Sequence, residues 1–129
     1  MIEIRDLVRR YGEKTAVDQL NLQIPPGVFY TFLGPNGAGK TTTMKIMAGL
    51  LKPSDGEVLI DGIDITANPT EAKKKIGYIP DHPYLYDKIT GWEFLQFTGG
   101  LHGLEPAALS SGAEELLDYF SLSEDAHQL

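Results

Sequence analysis

The stretch that decides the fold is Gly34-Pro35-Asn36-Gly37-Ala38-Gly39-Lys40-Thr41-Thr42, which lies between an apolar run and a helical pattern. It has the Gly-x-x-x-x-Gly-Lys-Ser/Thr spacing of a phosphate-binding loop. Glycines there let consecutive backbone N–H groups converge on an anion, and the following helix points its positive end at the same place. The stretch predicts a polyphosphate site; the alternative is a glycine-rich turn that only joins strand to helix.

The segments on either side of this loop indicate an α/β protein. Residues 28–33 form a β-prone run with no polar face, which is typical of a central strand covered on both sides in a parallel sheet. A helix is predicted from Lys40. Its apolar face is predicted to comprise Met44, Met47, Ala48 and Leu51, with Ile46 and Leu50 alongside. The helix should stop near residues 52–56, where Pro, Ser, Asp and Gly favour a turn.

The rest of the chain predicts short elements around this centre. Alternation and turn residues indicate strands near 2–7 and 17–24, a hairpin at 57–65 and a strand at 76–79. Helices are predicted at 69–75, at 91–101 behind a Thr90 cap, and from Pro106 to about Phe120. The apolar face of the last helix is predicted to comprise Leu109, Ala113, Leu116, Leu117 and Phe120.

Composition limits the function classes. The chain has 129 residues, 42% of them hydrophobic and 22% charged, as in a soluble globular domain. It has no cysteine, which excludes disulfides, thiolate metal sites and cysteine nucleophiles. The longest apolar run has about six residues against the ~20 of a spanning helix, and the start does not resemble a secretory signal, so a cytosolic protein is expected.

Charge is unevenly distributed along the chain. The net charge is −7, and residues 89–129 contain acidic side chains but no Lys or Arg. A basic stripe is therefore absent and no nucleic-acid partner is expected. The acidic third is predicted to be a solvated helical surface.

Residues 1–103 resemble the first half of an ABC transporter ATP-binding domain. The resemblance is carried, besides the loop, by several segments in register: Arg10-Tyr11-Gly12 with Ala16-Val17-Asp18, Pro26-Gly27, residues 49–58 with Asp61-Gly62, Ile76-Gly77-Tyr78-Ile79-Pro80, Leu85-Tyr86-Asp87 and Ile89-Thr90. Within this family, these segments are similar to those of the ATPase subunits of multidrug or ABC-2 type exporters. The resemblance implies a P-loop NTPase fold: an antiparallel β subdomain with the loop strand and helix over 1–89, then the start of a helical subdomain over 90–129, with an incomplete core sheet.

The loop and the resemblance together assign roles to particular residues. Lys40 supplies charge to the outer phosphates, and the Thr41 hydroxyl is a ligand for Mg²⁺. The other loop residues predicted to bind ATP are Asn36, Gly37, Ala38, Gly39 and Thr42. By the resemblance alone, Tyr11 stacks on adenine and Val17 borders the base.

The chain departs from the family pattern in two ways. Asp81 stands where the family often has a Gln that helps hold Mg²⁺ and the attacking water; an Asp offers metal-binding oxygens but no amide donor, and it is otherwise an ordinary turn residue. Within these 129 residues there is no signature loop, no metal-binding Asp with a neighbouring Glu, and no switch His in register. Residues 109–113 and 58–61 are look-alikes of the first two motifs, predicted to be helix and hairpin. His82, His102 and His127 are isolated and are expected to be surface residues.

Three functions remain open from the sequence. The first is an ATP-binding subunit that powers export through a separate membrane permease, contacted through 81–90, and that pairs with a second nucleotide-binding domain at the inner face of the membrane. The second is a module that binds ATP without hydrolysis. The third is another P-loop class, such as a GTPase, although an Asn-Lys-x-Asp base-recognition run is absent. The resemblance also implies that the strand beside 28–33 lies outside this chain, so an exposed apolar edge is expected.

Overall fold

The computed structural model describes residues 1–83 and 85–129, in two compact units, Met1–Ile79 and Pro80–Leu129. Tyr84, which belongs to the predicted permease-contact segment, lies outside the described residues. Each unit has its own secondary structure and packing.

The first unit is built on a four-stranded antiparallel sheet with the strand order β2-β1-β3-β4. The strands are β1 (Ile2–Tyr11), β2 (Lys14–Ile24), β3 (Asp55–Ile60) and β4 (Ile63–Asp64). The β1–β2 hairpin is longer than the sequence pattern predicts, because its polar tip continues the ladder as far as the Tyr11–Lys14 pair. The predicted hairpin at 57–65 is confirmed as β3 and β4.

An irregularity at Asp6 bends β1. Asp6 has a φ of 46°, and the Asn21 side chain bonds to it twice: its oxygen accepts from the Asp6 N–H at 3.0 Å and its amide donates to the Asp6 carboxylate at 2.8 Å. On the other side Gly56, with a φ of 78°, lies so close that a Cβ there would come 2.3 Å from the Asp6 carbonyl oxygen. Only glycine fits at residue 56, so the bend is determined jointly by three strands.

Two helices complete the core of the first unit. They are α1 (Lys40–Met47) and α2 (Pro69–Lys73). Ile46 of α1 is fully buried in one apolar cluster with sheet residues such as Ile4, Leu7 and Val58. The buried side of α1 comprises Thr43, Ile46 and Met47, followed by Ala48. Met44 and Leu50 are exposed, so the buried face of the helix is centred on Ile46 and is rotated away from the predicted face.

The prediction of strands at 28–33 and 76–79 is wrong for this chain: neither segment belongs to a sheet. A strand requires a neighbour for its backbone hydrogen bonds, and the described residues supply none to either segment. The expected apolar exposure is present, since Phe29 is 96% and Leu33 87% exposed, while Phe32 alone packs partly against the core.

The second unit is helical. It contains α3 (Gly91–Leu101) and α4 (Pro106–Tyr119), which confirms both predicted helices. Where they meet, the Leu109 side chain fills the space above Gly99, and a Cβ at Gly99 would lie 2.7 Å from it. Leu109, Ala113 and Leu117 are buried as predicted, but Leu116 and Phe120 are exposed, because the buried stripe of α4 is only one residue wide.

The predicted Thr90 cap of α3 is confirmed as a reciprocal capping box. The Thr90 hydroxyl accepts from the Glu93 N–H at 3.2 Å, and the Glu93 carboxylate accepts from the Thr90 N–H at 2.8 Å. The bond that the Glu93 carboxylate accepts from the Thr90 N–H, and a second that it accepts from the Thr90 hydroxyl at 3.1 Å, lower the pKa of Glu93 from its ordinary value of 4.5. In the described part of the chain, no helix is long and apolar enough to cross a membrane.

The capping box makes a pH-dependent prediction. Because the pKa of Glu93 is lowered on folding, its contribution is complete above the ordinary pKa of 4.5 and is lost as the pH falls through the folded value. Carbon-13 NMR should therefore show the Glu93 carboxyl titrating below 4.5. Thr90→Ala should reduce stability at pH 7 by about 1 kcal/mol in urea unfolding and return the titration toward 4.5. Glu93→Gln, which retains a capping side chain, should remove the dependence of α3 on pH; a Glu93 titration at or above 4.5 would contradict this.

A second prediction concerns the exposed run. Phe29→Lys should change the free energy of unfolding by less than about 0.5 kcal/mol, because the exposed ring has few contacts to lose. The same substitution should reduce self-association measured by light scattering, because it removes an exposed apolar side chain. Ile46→Ala, at a fully buried site, should cost about 2–5 kcal/mol and serves as the comparison. A large loss of stability in Phe29→Lys would mean that residues 28–33 are buried in solution.

Candidate functional site: the loop before helix α1

The loop is shaped by glycines in the left-handed region. Gly37 and Gly39 have φ values of 84° and 83°, and Gly34 has a φ of 155°. Residues 35–38 form a turn closed by the Ala38 N–H, which donates to the Pro35 carbonyl at 3.3 Å. Side chains with a Cβ are strained at such φ values, so the loop requires glycine for its path alone.

Gly39 is required for a second reason, its contact with the hairpin. A Cβ there would lie 2.3 Å from the Ala16 carbonyl oxygen and 3.2 Å from Cγ2 of Val17. The close approach therefore serves packing of the loop against β2, in addition to any approach of a phosphate. It also brings predicted site residue Val17, which is buried in β2, beside the start of α1.

The N-terminus of α1 presents backbone donors. Gly39 precedes the helix with no side-chain cap, and the first N–H to donate back into this turn is that of Thr43, to the Gly39 carbonyl at 2.8 Å. The N–H groups of the first turn have no acceptor inside a helix. Together with the helix dipole they form a place where an anion is stabilised.

Lys40 adds a positive charge to the loop. Its ammonium donates to the Gly34 carbonyl at 2.6 Å and to the Pro35 carbonyl at 2.7 Å. The side chain therefore curls back over the turn that starts the loop. An ammonium has three donors, so one remains beyond these two bonds.

The remaining predicted loop residues share this site. Asn36 and Thr41 are exposed and Thr42 is half-buried in the first turn of α1. The Thr41 hydroxyl is a hard oxygen of the kind that Mg²⁺ prefers, so the donor chemistry fits a magnesium polyphosphate. Tyr11 ends β1 and is 47% exposed.

Asp81 lies in the second unit, where it is exposed in a bend. Among residues 1–83 and 85–129, no three His, Cys, Asp or Glu side chains come together as a metal cluster.

The two look-alike segments have the structural roles expected of them. Residues 109–113 lie within α4. Asp61 occupies the β3–β4 turn with a φ of 49°, where its carboxylate accepts a hydrogen bond from the Met1 amino group. That bond and the charge of the amine hold the pKa of Asp61 below its usual value.

Two residues that contact predicted site residues were not predicted from the sequence. Thr43 is 3% exposed, and its hydroxyl donates to the Gly39 carbonyl at 3.0 Å, which reinforces the turn where the loop joins the helix. A lone polar residue on the buried face of a helix was the available signal. Arg9 is the other, since its guanidinium lies over the Tyr11 ring.

Comparison with known proteins identifies the class. Residues 17–129 match the family model described as ABC transporter. The chain therefore belongs to the ABC transporter family, which confirms the resemblance found in the sequence and the α/β, P-loop ATPase type of fold.

Individual relatives share much of the chain. It is 38% identical over 129 residues to the bacitracin transport ATP-binding protein BcrA of Enterococcus faecalis, and 38% identical over 128 residues to the daunorubicin/doxorubicin resistance ATP-binding protein DrrA of Streptomyces peucetius. It is also 37% identical over 128 residues to the spermidine/putrescine import ATP-binding protein PotA of Nitrosomonas europaea. These alignments cover 99–100% of the chain but only 41%, 39% and 35% of the respective relatives, so the chain spans about two fifths of their length.

Two solved structures have the same fold. One, described as the ATP binding subunit of an ABC transporter, superposes with a TM-score of 0.87 at 29% identity, covering 98% of this chain and 52% of that one. The other is a dimeric, post-hydrolysis state of the ATP-binding cassette MJ0796 bound to ADP and Pi, with a TM-score of 0.82 at 26% identity, covering 98% and 60%. The likeness extends over both units of the chain.

Glycine substitutions separate the two demands on the loop. Gly37→Ala and Gly39→Ala impose the same backbone strain, about 1–2 kcal/mol, because the two φ values are nearly equal. Gly39→Ala also forces its Cβ against the Ala16 carbonyl, whereas nothing lies within 4 Å of a Cβ at Gly37. Urea unfolding should show Gly39→Ala as clearly more destabilising than Gly37→Ala. Equal losses would show that the contact between loop and β2 is not tight in solution.

Proposed function

We propose that this chain is the nucleotide-binding part of an ABC transporter ATP-binding subunit and that it binds Mg·ATP at the loop formed by residues 34–42. The observation that carries the proposal is the loop itself: left-handed glycines, a helix N-terminus without a cap, and the Lys40 ammonium converge at one place. Membership of the ABC transporter family supports ATP as the nucleotide. The ADP and phosphate named for the MJ0796 cassette support it further.

Each loop residue has a definite task in this proposal. The Lys40 ammonium moves from the Gly34 and Pro35 carbonyls to the outer phosphates, exchanging two neutral acceptors for charged ones. Because the ammonium and the phosphate carry opposite charges, Coulomb attraction favours this exchange. Backbone N–H groups of Gly37, of Gly39 and of the first turn of α1 donate to the remaining phosphate oxygens. The Ala38 N–H joins them by exchanging the Pro35 carbonyl for a phosphate oxygen.

The neighbouring side chains complete the binding of the nucleotide. Asn36 meets the terminal phosphate and the Thr42 hydroxyl an inner one. Tyr11 stacks on adenine and Val17 borders the base. The exposure of Tyr11 and the position of Val17 beside Gly39 both support this arrangement.

Thr41 and Asp81 are the residues proposed to hold Mg²⁺. The metal, when bound, neutralises charge on the phosphates and orients them. Thr41 contributes its hydroxyl oxygen and Asp81 a carboxylate oxygen in place of the family's amide.

Within these 129 residues we propose nucleotide binding without appreciable turnover. Phosphoryl transfer is catalysed by positioning and charge stabilisation, and the sequence contains no Asp-Glu pair after an apolar strand and no signature loop to provide them. The second candidate is a regulatory module that binds ATP and never hydrolyses it. The two differ in whether the protein turns over ATP when joined to the segments that its longer relatives possess.

The proposed assembly follows from the family. The subunit acts at the inner face of the membrane with a separate permease, contacted through residues 81–90, and pairs with a second nucleotide-binding domain. The dimeric MJ0796 cassette supports pairing. The relative DrrA, which is named for daunorubicin/doxorubicin resistance, supports the export of a drug, whereas the relative PotA is named for import.

Lys40→Ala tests the proposal. The substitution should weaken Mg·ATP binding at least about tenfold in calorimetry, because a hydrogen bond to a charged group contributes about 1.5–3 kcal/mol. Lys45→Ala is the matched control, since Lys45 is an exposed lysine in the last turn of the same helix. Equal weakening by both variants, or absence of binding to folded wild-type protein, would refute the proposed site.

A hydrolysis assay tests the second part of the proposal. Phosphate release from Mg·ATP by the wild-type chain should stay at the level of the Lys40→Ala variant. Turnover at an ordinary ATPase rate that Lys40→Ala abolishes would show that these residues suffice for catalysis.

A further inference from the structure

Arg9 makes a contact that none of the roles above explains. Its guanidinium carbon lies over the Tyr11 ring, 4.6 Å from the ring centre. This is within the ~6 Å range in which a cation is attracted to an aromatic face. The cation thus takes one face of the ring that is proposed to stack on the nucleotide base.

The Arg9 side chain is itself held in place. Its Nη1 donates to the Lys52 carbonyl at 3.0 Å, across from β1 to the turn that precedes β3. That turn is bonded to β1 on both sides of Arg9: the Ser54 N–H donates to the Val8 carbonyl at 2.8 Å, and the Ser54 hydroxyl accepts from the Arg10 N–H at 3.0 Å. The guanidinium is therefore anchored to a turn that is itself hydrogen-bonded to β1.

The position of the Arg9 side chain reduces the stability of the fold at one atom. The Arg9 Nε is buried and has no hydrogen-bond partner among the described residues. A buried donor without an acceptor costs about 1–3 kcal/mol, more when it is charged.

Arg9 is linked to the proposed phosphate loop through one residue, Val17. It is the register partner of Val17 in the β1–β2 ladder, and Val17 is the residue that Gly39 packs against. Tyr11, two residues along the same strand, is 47% exposed, so the ring retains accessible surface beside its contact with Arg9.

We propose that Arg9 is a positioning residue for the nucleotide base: it holds the Tyr11 ring by one face and leaves the other face for the purine of ATP. The proposal rests on the proposed ATP site. Without the cation, the ring must be immobilised when the nucleotide binds, and ordering a side chain at that moment reduces affinity. With it, the ring is already oriented before binding.

The test separates base binding from phosphate binding. Calorimetric titrations with Mg·ATP and with magnesium tripolyphosphate, which has no base, are made on the whole chain. Arg9→Met should lower the ratio of ATP affinity to tripolyphosphate affinity about two- to fivefold. Arg9→Lys, which retains a cation, should preserve most of the ratio. Arg5→Met is the matched control, since it removes an exposed arginine of the same strand and should leave the ratio unchanged.

A double substitution identifies the pathway of the effect. In a Tyr11→Ala background, Arg9→Met should no longer change the ratio, because the ring through which it acts is gone. A merely structural Arg9 would lower the unfolding temperature of Arg9→Met while the ratio stayed at the wild-type value, and that result would overturn the proposal. Equal weakening of both ligands would do the same. Wild-type protein that binds neither ligand would instead refute the nucleotide site itself.

Discussion

The contact between Gly39 and the carbonyl of Ala16 is the constraint on which the site depends. It presses the phosphate loop onto β2 at a distance that admits no Cβ, so the start of α1 is placed against the β1–β2 hairpin by backbone packing. Thr43 supports the same point from the other side, through a hydroxyl bond to the Gly39 carbonyl. Because the hairpin carries Tyr11 and Val17, this contact places the residues proposed to bind the base beside those proposed to bind the phosphates, within one compact unit.

Several polar groups of the loop and its surroundings have partners within the chain itself. Lys40 donates to two loop carbonyls, the Ala38 N–H closes the turn, and Arg9 occupies one face of Tyr11. The Lys40 and Ala38 bonds would have to be exchanged for bonds to the ligand in the proposed nucleotide complex. The contact of Arg9 with Tyr11 would remain, and a ring ordered before binding loses less conformational entropy, which is the general advantage of preorganisation.

Residues 28–33 show how far local propensity extends. The run has the composition of a buried central strand, yet it forms no ladder, and most of its large side chains are exposed. β propensity describes fitness for a pleated, half-buried surface, so it has no effect where no neighbouring strand is present. The antiparallel strands β1 to β4 form because each finds its partner within the first sixty-four residues.

The amino-acid sequence by itself determined the loop, the family, the helices α3 and α4 and the Thr90 cap, because these depend on local spacing, turn chemistry and a capping box that closes within four residues. It also predicted the apolar exposure at 28–33 while misassigning the segment as a strand. Only the tertiary structure decided why Gly39 must be glycine, that Thr43 is buried beneath the loop, and that Arg9 lies over Tyr11. Those facts arise from contacts between elements distant in sequence, whose register and bends no local pattern records.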